Sequence, residues 1–162
     1  MKISTRARYA LRFMIDIALN RDGDRPLQLK DIARRQGISQ RYLGQITTSL
    51  KNKFLIRGVA GKSGGFVLSK PPEEISIGSI IEAAIGPINV VDCVEDKDAC
   101  MKAGYCECRP IYMLINRRIC DALNEFTLAD ITGRHLIPVD IDEMIDSKTT
   151  GSSKDLCSSD FR

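Results

Sequence analysis

The stretch from Leu29 to Asn52 leaves this chain little freedom in how it folds. Leu29, Ile32 and Ala33 share one face of a helical repeat that ends near Gln36, with Lys30, Arg34 and Arg35 outside. Gly37 stands where a helix C-terminus needs a residue free to take positive φ. Ile38 then supplies an apolar plug and Ser39 a fresh N-cap. A second repeat starts at once, with Leu43, Ile46 and Leu50 inward and Gln40, Arg41, Gln45, Thr47, Thr48 and Ser49 left for other faces. Two short helices joined by a tight glycine turn, the second rich in Gln, Arg, Tyr and Thr, predict a helix-turn-helix.

The flanking residues strengthen that expectation. Ser4 or Thr5 caps a preceding helix that runs through Asn20 on Tyr9, Ala10, Phe13, Met14 and Ile17, and residues 21–26 break it with turn formers. After Asn52, Phe54–Val59 and Gly65–Ser69 read as two short strands around the tip Ala60-Gly61-Lys62-Ser63-Gly64. This is a basic, glycine-rich wing, on which Arg57, Lys62, Ser63 and Gly64 are placed to meet a phosphate backbone or a minor groove. Gly61-Lys62-Ser63 is not a nucleotide-binding loop, because Ile56 occupies the place of its first glycine and no helix follows.

Charge supports the same partner. Residues 1–72 hold fifteen Lys or Arg against four Asp or Glu, a net +11, while residues 73–162 hold nine against seventeen, a net −8. A basic front half is suited to a polyanion, and double-stranded DNA is the expected one. No apolar run approaches a bilayer span, and Arg and Asp interrupt the apolar residues of the N-terminus, so a cytoplasmic location without a membrane partner is expected. There is no nucleophile-base pair, no phosphate loop and one His, His135, outside every motif, so neither an enzyme nor a small-molecule substrate is expected.

Pro71-Pro72-Glu73-Glu74 marks the expected end of the DNA-binding module, residues 1–72. Residues 73–137 form the second expected segment, opening with a short helix over Ser79–Ala84. Within it Cys93, Cys100, Cys106 and Cys108 place four of the six cysteines in sixteen residues, with few core residues between them. Such a loop has no interior of its own, and in a reducing compartment a metal centre is the economical way to order it. Pro110 suits the first turn of a long helix on Ile111, Ile115, Ile119, Ala122 and Phe126, with Met113, Cys120 and Leu123 as a second stripe. A helix apolar on two sides predicts a homodimer. Thr127–Ile131 reads as a capped final turn, and residues 138–162 as a disordered tail. The fold class is therefore mainly α with a small β-wing: a winged helix-turn-helix, a cysteine-bearing loop and a C-terminal dimerisation helix.

These residues together resemble the IscR-type winged-helix regulators, the family of IscR, NsrR, RirA and the cluster-free CymR. The carriers are Arg8-Tyr9-Ala10, Met14–Leu19, Arg35–Ser39 with Tyr42, Leu43 and Gln45, Gly61–Leu68, the three cysteines Cys93, Cys100 and Cys106, and Thr127–Ile131. The resemblance implies a homodimeric repressor or activator on a pseudo-palindromic operator. It places the helix from Ser39 in the major groove, with Ser39, Gln40, Arg41, Tyr42 and Gln45 as contacts, and the wing at the minor groove. It further implies an iron-sulfur cluster on Cys93, Cys100 and Cys106, 2Fe-2S ahead of 4Fe-4S. The fourth ligand departs from the family: Arg109 stands where IscR has a His, and Arg8 where other members lend a carboxylate. Cys108 is the first candidate: Arg109 before Pro110 favours extended backbone, Cys108 is expected to share it, and side chains two apart, Cys106 and Cys108, then share a face. Glu107 or a residue of the partner are the others. Cys120 reads as a small core residue, Cys157 as an incidental thiol and His135 as a surface residue. A zinc-bound or metal-free regulator is the alternative.

Overall fold

The computed structural model describes residues 3–23 and 25–133. Ser4 caps α1 (Thr5–Asn20) by accepting from the Ala7 amide at 3.2 Å, and the inward stripe Ala10, Phe13, Met14 and Ile17 is fully buried. Helix α2 (Leu29–Gln36) and helix α3 (Gln40–Asn52) cross α1 and contribute Ile32, Leu43, Ile46 and Leu50 to the same core. The turn between them is the one the sequence demands. Gly37 is left-handed at φ 63°, and the Ile38 amide reaches back to the Ala33 carbonyl at 3.1 Å while its side chain is buried.

Helix α3 ends in the same motif with a different residue. Phe54 takes φ 54° and the Leu55 amide bonds the Leu50 carbonyl at 3.1 Å, so a bulky aromatic holds the left-handed position that Gly37 occupies in the first turn. Its ring is 75% exposed and returns little packing for the strain. Phe54→Gly should therefore stabilise the protein by about 0.5–1 kcal/mol, read as a higher urea midpoint at unchanged slope. A lower midpoint would mean that the ring contributes more than its backbone strain removes.

The wing is an antiparallel pair, β1 (Ile56–Val59) with β2 (Gly65–Leu68), in the register Ile56 opposite Leu68 and Val59 opposite Gly65. Leu27 extends it, exchanging backbone hydrogen bonds of 3.0 and 2.9 Å with Phe66, whose ring meets Phe13 edge-on at 5.9 Å. A Cβ on Gly65 would lie 2.3 Å from the Leu27 carbonyl oxygen, so that close approach requires glycine.

Past residue 72 the core continues. Helix α4 (Ile77–Ile85), capped by Ser76, buries Ile77, Ile80, Ile81, Ala83 and Ala84 against α1 and α3, and runs longer at both ends than the expected Ser79–Ala84. A loop of successive tight turns follows, then α5 (Arg109–Glu125) and α6 (Leu128–Gly133). The chain between α5 and α6 returns to the first core: Ser76 bridges Thr127, the Leu128 amide bonds the Ile75 carbonyl at 2.8 Å, and Leu128 is fully buried. Thr127 and Asp130 cap α6 reciprocally, each backbone amide bonded to the other's side chain. The expected tail from residue 138, with Cys157, and also His135 lie outside the described residues.

A candidate DNA-reading face and a cysteine loop

Helix α3 is held by its inner side and shows the other. Ser39 accepts from the Tyr42 amide at 3.2 Å, fixing the first turn, and Gln40, Arg41 and Gln45 are exposed beyond it. Tyr42 is only half exposed, because its ring meets Tyr9 of α1 edge-on at 5.8 Å. Thr47 departs from the outward position expected of it: it is 3% exposed and its hydroxyl donates to the Gly44 carbonyl at 2.8 Å, which lets a polar residue sit in the core. Ser49 is likewise half-buried, bonded by Arg6 at 2.7 Å.

A polar network that the sequence reading missed ties α1 to the end of α2 and the start of α3. Asp16, on the buried side of α1 and 2% exposed, takes the Arg35 Nε at 3.1–3.2 Å and the Gln36 amide at 2.8 Å. The carboxylate raises the Arg35 pKa further above its usual value through that hydrogen bond. Arg12 Nε donates in turn to Gln36 Oε1 at 3.0 Å, and its guanidinium lies over Tyr9, 5.7 Å from the ring centre. One face of α1 thus grips the end of α2 and the first turn of α3. The available signal was an acid at position 16 in phase with the apolar stripe of Phe13 and Ile17, a place where a charge persists only if paired.

Arg57, Lys62 and Ser63 lie exposed on the wing, and Gly64 is half-buried. Gly64 closes the tip by donating to the Gly61 carbonyl at 2.9 Å, and a Cβ there would come within 2.3 Å of the Val59 oxygen. Its conformational freedom serves the tip's shape as well as any approach to a ligand.

In the cysteine loop, short backbone-bonded turns span 91–96, 96–99, 100–103 and 102–105. Cys93 and Cys106 are half-buried, whereas Cys100 and Cys108 are exposed. The extended backbone expected for Cys108 and Arg109 is not found. Cys108 is helical, φ −81° and ψ −21°, and Arg109 opens α5, so Cys106 and Cys108 share no extended face. The proline bias against helical backbone at Arg109 is offset by two bonds: its amide donates to the Cys106 carbonyl at 3.2 Å and its Nε to the Cys93 carbonyl at 2.9 Å. Cys120 packs under the start of the loop, its thiol 3.7 Å from the Ile88 carbonyl, and burial, with Glu82 and Asp121 nearby, pushes its pKa up.

Thiols of this number suit an iron-sulfur cluster or zinc in kind, and Arg109 brings the backbones of Cys93 and Cys106 to one point. Their side chains are not gathered: among the described residues no three His, Cys, Asp or Glu stand together as a metal site. Holding a cluster requires the turns between Cys93 and Cys106 to close, as is usual where metal binding and local folding are coupled.

An exposed polar helix beside a basic hairpin, both fixed on one core, is the apparatus of a winged-helix transcription regulator rather than an enzyme. The chain belongs to the Rrf2 family, whose model, described as an iron-dependent transcriptional regulator, matches residues 3–134. Among its relatives, the regulator CymR of Bacillus subtilis is 35% identical over 131 residues, covering 81% of this chain and 89% of that protein. The regulator IscR of Erwinia tasmaniensis is 33% identical over 139 residues, covering 86% and 83%. The solved structure of B. subtilis CymR, described as that organism's global cysteine regulator, superposes with a TM-score of 0.66 at 34% identity over 82% of this chain and 97% of that one. Among the described residues no helix is long and apolar enough to cross a membrane.

Proposed function

We propose that this protein is a homodimeric, cytoplasmic transcription regulator whose hold on operator DNA is set by an iron-sulfur cluster in the loop before α5. The observation that carries the reading is the placement of Cys93, Cys100 and Cys106 on a loop tied by Arg109 directly to the first turn of α5. Residues 1–72 supply the reading surface: Ser39, Gln40, Arg41, Tyr42 and Gln45 for the major groove, and Arg57, Lys62, Ser63 and Gly64 for the backbone and minor groove. Residues 73–137 supply the sensor and the dimer contact. Cys93, Cys100 and Cys106 are the thiolate ligands of a 2Fe-2S centre, with 4Fe-4S as the alternative, since both types accept such a set. Cys108 stays a fourth-ligand candidate as a neighbour at the α5 N-terminus, alongside Glu107 and a residue of the partner subunit. A bound cluster supplies a centre that responds to iron supply and oxidants. The chain's own part is to hold the loop in one arrangement when loaded and release it when not, which biases the spacing of the two reading helices.

The test is anaerobic purification with iron, sulfide and zinc analysis, beside the triple variant Cys93→Ala, Cys100→Ala, Cys106→Ala. Wild-type protein should absorb in the visible with iron and sulfide bound. The triple variant should be colourless and dimeric, and should differ by about tenfold or more in affinity for an operator selected from random duplexes. Stoichiometric zinc without colour would move the reading to a zinc-stabilised regulator. A colourless, metal-free wild type would move it to a regulator of another signal, as would equal operator affinity in both proteins.

A further inference from the structure

Three residues on one stripe of α5 hold backbone groups of Ile88, Val90 and Cys93, on the segment that leads into the loop. The Cys120 thiol reaches the Ile88 carbonyl at 3.7 Å, Asn116 Oδ1 accepts from the Val90 amide at 2.8 Å, and Arg109 Nε donates to the Cys93 carbonyl at 2.9 Å. Positions 109, 116 and 120 recur at seven and four residues, so they lie along the same side of the helix. All three are half-buried, whereas Ile111, Leu114 and Ile115 on the opposite side are exposed. Arg109 differs from the other two because it acts at both ends of the loop: its own amide is bonded to the Cys106 carbonyl at 3.2 Å.

We propose that Arg109 is a positioning residue of the cysteine site, holding Cys93 and Cys106 opposite one another through its Nε–H and its amide and making their separation depend on where α5 begins. The inference deepens the cluster reading and rests on it for its purpose, although the tie itself is a property of the metal-free chain. Arg109 touches no reacting group in this role. The Nε–H lies four atoms beyond Cα, where the side-chain amide nitrogen of Gln also lies, and that coincidence separates a hydrogen bond from a charge.

The experiment uses the full chain with only Cys93 and Cys106 retained, the other four cysteines replaced by Ser. Metal-free protein is treated with dibromobimane, which fluoresces when it joins two adjacent thiols. Arg109→Met, which keeps the length and loses the donor, should slow cross-linking by about tenfold, the weight of one hydrogen bond from a charged donor. Arg109→Gln should stay close to wild type. In the six-cysteine protein, release of iron to a chelator should follow the same order, fastest for Arg109→Met. Equal cross-linking in Met and wild type overturns the proposal, as does Gln behaving like Met, because the charge rather than the Nε–H would then hold the loop. Slower cross-linking in Met without faster iron release also overturns it. If the wild-type chain takes up no iron while Met and Gln separate in the metal-free assay, the tie stands and the cluster reading fails.

Discussion

The double variant Ile111→Glu, Ile115→Glu is expected to be monomeric and to lose roughly 10²- to 10⁴-fold in operator affinity. Helix α5 is 17 residues long and none of them is buried. Ile111, Leu114 and Ile115 are 55, 52 and 45% exposed and fall on one stripe, with Ala122 further along it. Leaving that surface in water forgoes about 25 cal/mol for every Å² of apolar area, and in the proposed homodimer a second copy covers it. A dimer engages two half-sites at once, and separating its halves removes the effective concentration that makes the second contact easy. Two carboxylates per helix on the seam would meet their symmetry mates, so repulsion adds to the lost burial. Sedimentation and a gel-shift titration on a two-half-site duplex measure both effects. A variant that stays dimeric would move the interface off this stripe, and a monomer of unchanged affinity would remove the need for a dimer.

The second large effect concerns the pair between α1 and α2. Arg35→Met should lower stability by about 3 kcal/mol, because it leaves Asp16, only 2% exposed, with the Gln36 amide as its remaining side-chain donor. The companion change tells a lost pair from a lost shape. Asp16→Leu combined with Arg35→Met should recover most of the stability, since a buried pair exchanged whole for apolar residues is close to neutral. The double variant should nevertheless bind operator more weakly than wild type, because Gln36, Arg12 and Tyr9 link Asp16 to Tyr42 at the start of α3, the helix proposed to read DNA. Equilibrium urea unfolding gives the first comparison and operator titration the second. A drop below about 1 kcal/mol for Arg35→Met would show that solvent, reaching Arg35 at 34% exposure, already satisfies the carboxylate.

What could be read in advance and what could not divide along a physical line. Gly37, Ser39, the wing glycines, Pro110 and the Thr127–Asp130 cap act on backbone within a few residues of themselves, so their consequences are written in local order. The stripes of α1, α3 and α5 are equally local, because a period of 3.6 residues needs no knowledge of the neighbour. The family motifs and the clustered cysteines rest on order along the chain as well. Other features depended on partners far away in sequence. Asp16 meets Arg35 19 residues on, Arg109 meets Cys93 16 residues back, and Asn116 meets Val90 26 residues back. Thr47, Cys108 and Arg109 were misplaced because their surroundings outweighed a local preference. A hydroxyl bonded within its own helix can enter the core, and a residue before proline can turn helical, once packing or a distant carbonyl offsets the local preference. Sequence alone therefore determined the helices, the hairpin and the residue types at each face, whereas only the tertiary structure decided which polar groups meet, because a hydrogen bond is specified by position in space and periodicity specifies only direction from one helix axis.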